Sequence, residues 1–513
     1  MRSYKSRISA DLPIIFLAIF NIFIHLLVIG NLGFHRDELL YFSLGQHPDF
    51  GFATVPPMIG WIAWLMQNIF GYSLFAVRLL PAILSGVMVI LAAEIARELG
   101  GTSYSRILSG IGIIISGFVL RTFSLFMPVF IDVLFWSIII YLFIRFINTS
   151  SDRYLILLGI VAGFSLLNKY LIGVLFISLV IVTAGGQNRK IFKSRSFWIG
   201  ALGGLIVFLP NLIWQIVNGL PVIGHLSELW RTQLTHVDKV SFLLEQLIMP
   251  SWASVLTIAG LLYLLLNKNA EKFRFLGIAS ILVIAIIFVL RGKGYYTIGV
   301  FPFLIAAGAV SYEKGLKKRW KKIALPIVLI LLTIPMLPIG LPVFKPARLV
   351  AYFKNLELKY GIVIGRRFED GSIHSLPQDY ADMIGWEELA SITNKAYQMI
   401  GDKKASFIYC ENYGQAGAVT IIGKKYGLPE AVCFNESFKY WIPTKFNPDI
   451  TSLIYINDKL GKDVQMLFNN STLIGKISDP DAREFGTAVY LCEDPKTSFN
   501  EFWTNRLKDL SDH

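Results

Sequence analysis

A chain of 513 residues in which 54% are apolar and only 16% are charged cannot cover itself with a polar surface, since soluble domains carry about a quarter charged residues. Its mean hydropathy of +0.57 excludes an ordinary soluble enzyme and points to a chain embedded in lipid. The net charge of +13 does not indicate a nucleic-acid partner: the basic residues cluster between apolar runs, as in Lys314, Lys317, Lys318, Arg319, Lys321 and Lys322, a pattern typical of cytoplasmic loops.

The first apolar run lacks the small-residue cleavage site of a signal peptide and is expected to be retained as a helix. It opens a series near 12–32, 79–96, 107–120, 128–145, 154–168, 170–185, 197–217, 247–266, 275–290, 295–311 and 323–341, which predicts about eleven transmembrane helices. With the N-terminus cytoplasmic, the inner segments hold 20 Lys and Arg and the longer outer ones hold 8, which fixes the orientation. An odd number of spans then places the C-terminal region outside the plasma (inner) membrane. The expected fold is an α-helical polytopic membrane bundle over 1–345, followed by an extracytoplasmic, soluble α/β domain over 346–513.

In that topology the first outer loop, 33–78, carries Asp37-Glu38, Pro56-Pro57 and an apolar stretch, 58–70, that reads as a helix along the membrane surface with Trp61 and Trp64 at the interface. Asp132 falls near the outer end of the fourth span and Lys169 in the outer turn between the fifth and sixth. The second long outer loop, 218–246, brings His225, Glu228, Arg231, His236 and Asp238. Arg291, Lys293, Tyr295 and Tyr296 fall at the outer mouth between the ninth and tenth spans. Carboxylates and cations thus gather on one membrane face, with no internal repeat and no matched pair of broken helices of the kind transporters use.

The soluble part alternates strand-like runs (405–409, 452–456, 487–491) with helix-like ones (415–426, 460–469). Gly414 and Gly417 open a helix after a strand but lack the full G-x-G-x-x-G spacing, so they make a weak nucleotide site. Cys410, Cys433 and Cys492 form neither a disulfide framework nor a metal motif, which leaves open one bridge plus a free thiol or three buried thiols.

Among these residues, Asp37-Glu38 stands out. A partly desolvated carboxylate at a membrane surface gains basicity and suits a general base, against the plainer reading of a solvated interfacial pair. An acid inside an apolar run, as Asp132 is, is expected to face a cavity, or else to pair structurally with Arg121 or Arg36. Lys169 and Lys293 either snorkel to headgroups or converge on an anionic phosphate.

Residues 31–100, with Arg36-Asp37-Glu38-Leu39, Pro56-Pro57 and Arg78-Leu79-Leu80-Pro81 in order, resemble the first block of the GT-C membrane glycosyltransferases. The resemblance is to those of glycosyltransferase family 39 type, related to dolichyl-phosphate-mannose protein mannosyltransferases and to aminoarabinose lipid A transferases. Asn168-Lys169-Tyr170, Pro210-Asn211-x-x-Trp214-Gln215 and Gly292-Lys293-x-Tyr295-Tyr296 with Pro302 extend it through the bundle. The blocks Tyr380-Ala381-Asp382-Met383-x-Gly385-Trp386-Glu387-Glu388 and Asn412-Tyr413-Gly414-x-Ala416-Gly417-Ala418 extend it into the soluble part.

The resemblance implies transfer of a sugar from a polyprenyl-phosphate-linked donor to a protein, lipid or glycan acceptor. It makes Asp37 the base, Glu38 its support, Asp132 an acid near the sugar, and Lys169, Lys293 and Tyr296 the phosphate-binding set. This chain departs from the pattern at Leu40 and at Thr54-Val55, where some relatives carry charged residues. A divalent metal is left open, with His225 and Glu228 as weak candidate ligands, because two residues do not make a site. The rival readings are a lipid or polysaccharide transporter and a non-catalytic scaffold.

Overall fold

The computed structural model describes residues 2–363, 365–368 and 371–511, with side chains described from 11 to 508. It divides into two compact units: Met1–Ile29, Phe50–Ile59 and Arg78–Val343 form the first, and Gly30–Asp49, Gly60–Val77 and Phe344–His513 the second.

The first unit is helical. Each predicted apolar run lies on one helix or on consecutive helical segments. Among the described residues, six helices are long and apolar enough to cross a membrane, or up to seven if the bent pair Lys239–Ile248 and Ser251–Leu266 is one span. Asp11–Leu27, Arg153–Leu166 and Ile172–Gly185 are apolar but shorter, so length alone does not return eleven crossings. The predicted run at 247–266 lies mainly on Ser251–Leu266, and a 90° bend at its start separates that helix from Lys239–Ile248.

Small residues let these helices approach, which matters because lipid offers no hydrophobic drive to associate. Gly159 and Gly163 on Arg153–Leu166 face Gly200 and Gly204 on Arg195–Val217, and a Cβ at Gly159 or Gly163 would collide with the opposite backbone. Gly260 and Gly308 make the equivalent contact between Ser254–Leu266 and Phe301–Gly315. Both GxxxG spacings, 159/163 and 200/204, stand in the sequence within apolar runs.

The second unit carries a four-stranded sheet in the order β1-β2-β4-β3, with β1 Ser406–Cys410, β2 Ser452–Asn457, β3 Phe468–Lys476 and β4 Ala488–Pro495. β1 and β2 run parallel, and the other neighbours antiparallel. Phe407, Leu453, Cys492, Phe499 and Trp503 lie in the core on one face. The predicted helix over 460–469 is a correction: only Lys462–Leu467 is helical, and the chain then enters β3. β3 is an edge strand with mostly exposed side chains, so it lacks the apolar alternation that marks a half-buried strand. All three cysteines are buried free thiols, and burial pushes the Cys433 thiol up to about 12.

Two stretches of the predicted loop 33–78 fall in this unit, within Gly30–Asp49 and Gly60–Val77. The short helix Arg36–Leu44 packs on the helix Tyr413–Ile421, and Gln67, from Met58–Phe70, donates to the carbonyl of Phe42.

Candidate active site

Asp37 sits in the first turn of Arg36–Leu44, where a carboxylate is favoured by the helix dipole. The turn is a capping box: His35 Nδ1 accepts from the Asp37 N–H at 3.1 Å, and Glu38 Oε2 accepts from the His35 N–H at 2.9 Å. Glu38 is fully buried. Its carboxylate is therefore committed to shaping the turn that presents Asp37.

The C-terminal blocks noted in the sequence form the seat of this turn. The carbonyl of Asp382 accepts from the Arg36 N–H at 3.0 Å and from Trp386 Nε1 at 2.7 Å. The Asp382 carboxylate accepts from Arg483 Nη1 at 3.0 Å. Burial pushes the Asp382 carboxyl above its usual range, against the pull of His35, Arg483 and Arg36. Tyr413 donates its hydroxyl to Asp37 Oδ1 at 2.8 Å, and the Arg36 guanidinium lies over the Tyr413 ring at 4.3 Å.

Gly414 and Gly417 explain themselves here. A Cβ at Gly414 would lie 2.8 Å from Arg36 Cγ, and one at Gly417 would lie 2.7 Å from Leu39 Cβ. These glycines make room for a helix, which accounts for them without a nucleotide.

The second cluster lies in the first unit. Asp132, buried near the start of Pro128–Thr149, accepts from Trp136 Nε1 at 3.2 Å and has Lys169 as its charge neighbour. The Lys169 ammonium stands 5.3 Å from the ring centres of both Tyr295 and Tyr296, with Lys293 as a second charge neighbour. Asp132, Lys169, Lys293 and Tyr296 are thus brought together, and the charge partner of Asp132 within its unit is Lys169.

The turn carrying Lys169 is held from three sides. Asn168 Nδ2 donates to the carbonyl of Pro128, the first residue of the Asp132 helix, at 3.0 Å. The Leu167 carbonyl accepts from the Met58 N–H at 3.0 Å, directly after Pro56-Pro57. Tyr170 donates to Asn211 Oδ1 at 2.7 Å, and Asn211 Nδ2 donates on to the Phe50 carbonyl at 2.7 Å. The Asn-Lys-Tyr and Pro-Asn-x-x-Trp-Gln blocks are the two halves of one bracket.

His225 and Glu228 lie on the helix Pro221–Thr232, which has no buried residues; Glu228 accepts from Arg231 at 2.8 Å. Among the described residues no group of three His, Cys, Asp or Glu side chains is placed to hold a metal ion. Tyr413, Asp382 and Arg483 are site residues that residue-by-residue reading missed. The first two lay inside blocks of family resemblance, but nothing in one sequence tied them to Asp37, more than 340 positions away.

Residues 54–214 match the family model described as dolichyl-phosphate-mannose-protein mannosyltransferase. The lipid A galacturonosyltransferase RgtD of Rhizobium johnstonii is 24% identical over 203 residues, which are 38% of this chain and 41% of that protein. The matched segment therefore spans less than half of that relative. Two crystal structures of ArnT from Cupriavidus metallidurans share the fold over nearly the whole chain. The apo form aligns with a TM-score of 0.61 at 10% identity, covering 95% of this chain and 98% of that one. The form bound to undecaprenyl phosphate aligns with a TM-score of 0.59 at 13% identity, covering 93% and 97%. With its apolar helices and an architecture shared with ArnT over nearly its whole length, the chain is an integral membrane protein of the ArnT fold, similar over residues 54–214 to the dolichyl-phosphate-mannose-protein mannosyltransferase family.

Proposed function

We propose that this protein transfers a sugar from a polyprenyl-phosphate-linked donor to an acceptor hydroxyl on the outer face of the plasma (inner) membrane, with its N-terminus cytoplasmic. The observation that carries the reading is the Lys169 cluster: one ammonium steadied by Asp132 and faced by two tyrosines, with Lys293 beside it. An apolar bundle has little reason to gather two like charges unless an anion joins them, and a structure of ArnT with this fold binds undecaprenyl phosphate.

The acceptor oxygen attacks the anomeric carbon as the bond from that carbon to the phosphate oxygen breaks. The electron pair of that bond leaves with the polyprenyl phosphate, whose growing charge Lys169, Lys293 and the Tyr296 hydroxyl stabilise. The acceptor proton passes to Asp37. Glu38 holds the turn under Asp37, and Asp132 holds Lys169, so both act through the group they position. The C-terminal α/β domain over 346–513 is assigned to the extracytoplasmic side with Asp37.

The test uses membranes containing the protein, native acceptors and a panel of radiolabelled polyprenyl-phosphate sugars. The expected result is loss of label from one lipid and its appearance in a new product, reduced about 10²- to 10⁴-fold by Asp37→Ala at matched expression. Turnover of no donor overturns the reading in favour of transport or scaffolding.

A further inference from the structure

The Asn412-Tyr413-Gly414 block has no role in the reaction as set out above, yet it touches the proposed base directly. Tyr413 opens the helix Tyr413–Ile421, and that start is fixed twice over. Asn412 Oδ1 accepts from the N–H groups of Gly414 at 2.9 Å and Gln415 at 3.1 Å, and Gln415 Oε1 reaches back to the Glu411 N–H at 3.1 Å. Gln415 Nε2 is itself held by Glu484 at 2.9 Å. Gly414 and Gly417 then bring this helix against Arg36 and Leu39 so closely that any side chain there would push it away. The arrangement aims one hydroxyl at one carboxylate oxygen, Tyr413 Oη to Asp37 Oδ1, at 2.8 Å.

We infer that Tyr413 is the positioning residue for Asp37: its hydroxyl ties down Oδ1 and stabilises the ionised carboxylate, so that Oδ2 takes the acceptor proton. This inference rests on the reading of Asp37 as the base. In the transfer step the acceptor O–H bond breaks, the proton comes to rest on Oδ2, and Tyr413 keeps its own proton throughout. Burial and the neighbouring Asp37 charge push the Tyr413 hydroxyl well above its ordinary range, so it remains a donor at any working pH. The Arg36 guanidinium, on the same helix as Asp37, lies 4.3 Å from the centre of the Tyr413 ring and adds a second contact between this tyrosine and that helix. The region after the bundle thereby supplies the residue that positions the base.

A hydrogen bond to an ionised acceptor favours the charged form, so its loss should shift the acidic limb of the rate profile to higher pH, by roughly one to two pH units. The experiment measures kcat/KM against pH for the full chain in membranes, with the radiolabelled donor that the wild type turns over. Tyr413→Phe should move the acidic limb upward by that amount and recover most of the wild-type rate at high pH, with donor KM unchanged. Fluorotyrosine at position 413, a stronger donor of the same shape, should move the limb downward. A merely structural role would lower the rate at every pH and leave the limb in place, and that result overturns the inference.

Two controls separate the failures. If Asp37→Asn keeps wild-type turnover, the base reading fails and this inference with it. If Asp37→Asn is inactive while Tyr413→Phe and fluorotyrosine leave the limb unmoved, only the positioning role fails. Should Tyr413→Phe accumulate poorly, Gly417→Ala serves instead: its methyl would meet Leu39 and draw the intact hydroxyl away from Asp37. An unshifted limb in that variant overturns the inference equally.

Discussion

The seats of Asp37 and Lys169 solve the same problem by different means. Asp37 is held by charged and backbone groups: a helix N-terminus, the Asp382 and Arg483 pair, a guanidinium over a ring and one tyrosine hydroxyl. Lys169 is held by neutral amides, a carbonyl and aromatic faces, with Asp132 as an opposite charge beside it. The difference follows from the surroundings. Asp382 is buried but paired with the partly exposed Arg483, whereas in an apolar bundle each unpaired charge is expensive, so neutral hydrogen bonds fix the backbone and charge is kept to the minimum the chemistry needs. The first seat is therefore sensitive to proton chemistry and the second to removal of a single charge.

The largest effect that tests this contrast is on Asp37. Asp37→Asn preserves shape and the bond from Tyr413 but cannot take a proton, and turnover should fall about 10²- to 10⁴-fold with protein accumulation unchanged. Retained activity at normal expression would remove the proton-chemistry side of the comparison. Next is Lys169→Met, expected to lower kcat about 10²- to 10³-fold by loss of the phosphate's main cation. That single change also strands the Asp132 carboxylate, which should lower thermal stability in detergent by about 3–5 kcal/mol. Asp132→Asn added to Lys169→Met should restore much of the stability and none of the activity. Full recovery of both would mean that Lys169 serves only to neutralise Asp132.

A smaller effect separates backbone brackets from charge. Asn168→Ala removes the bond to Pro128 and leaves Lys169 in the chain; it should cost about 1 kcal/mol of stability. Because the turn then wanders, donor KM and kcat should both worsen, by less than for Lys169→Met. Activity unchanged by Asn168→Ala would show that the turn needs only its other two supports, from Met58 and Tyr170.

Much of both seats could be read from the sequence, for unequal reasons. The apolar runs marked the helices because lipid demands length and hydrophobicity together. Asp37, Asp132, Lys169 and Lys293 showed themselves as charges where charge is costly. Helix lengths were less legible: the run at 247–266 reads as one apolar span, and its hydropathy does not show the 90° bend that falls near Pro250-Ser251, between Lys239–Ile248 and Ser251–Leu266. The glycines at 159, 163, 200 and 204 were present as spacing, but one sequence does not say which pair of helices meets. Glu38 was legible as a carboxylate and not as a cap, since the capping box here uses a histidine at the N-cap in place of the usual serine or threonine. Tyr413 was the hardest. A tyrosine at a helix start looks ordinary until the fold carries it to Asp37. β3 was missed for the opposite reason, since an exposed edge strand leaves almost no hydrophobic pattern to read.

The smallest effect concerns the other end of the Asp37 helix, where proton chemistry is expected to reach stability alone. Just beyond Leu44, His47 Nε2 lies 2.8 Å from Glu430 Oε2, its ring stacks on Trp441 at 4.1 Å, and Lys424 lies 3.9 Å from the same carboxylate. The hydrogen bond from His47, aided by the charges of His47 and Lys424, holds the Glu430 carboxyl below its usual range. A depressed carboxyl binds its proton less readily in the folded state than in the unfolded one. Its contribution is therefore full above the unfolded value, about 4.3, and is lost as pH falls through the lower folded value. Both side chains are 34–41% exposed, so solvent screens the pair and the gain is at most about 0.5 kcal/mol. Thermal unfolding in detergent should show Glu430→Gln slightly less stable than wild type at pH 6 and indistinguishable from it near pH 3, with turnover of the lipid donor unaffected. An equal loss at both pH values would mean that Glu430 matters through packing and not through its charge. Lost turnover would mean that the far end of the helix, as well as its first turn, sets the position of Asp37.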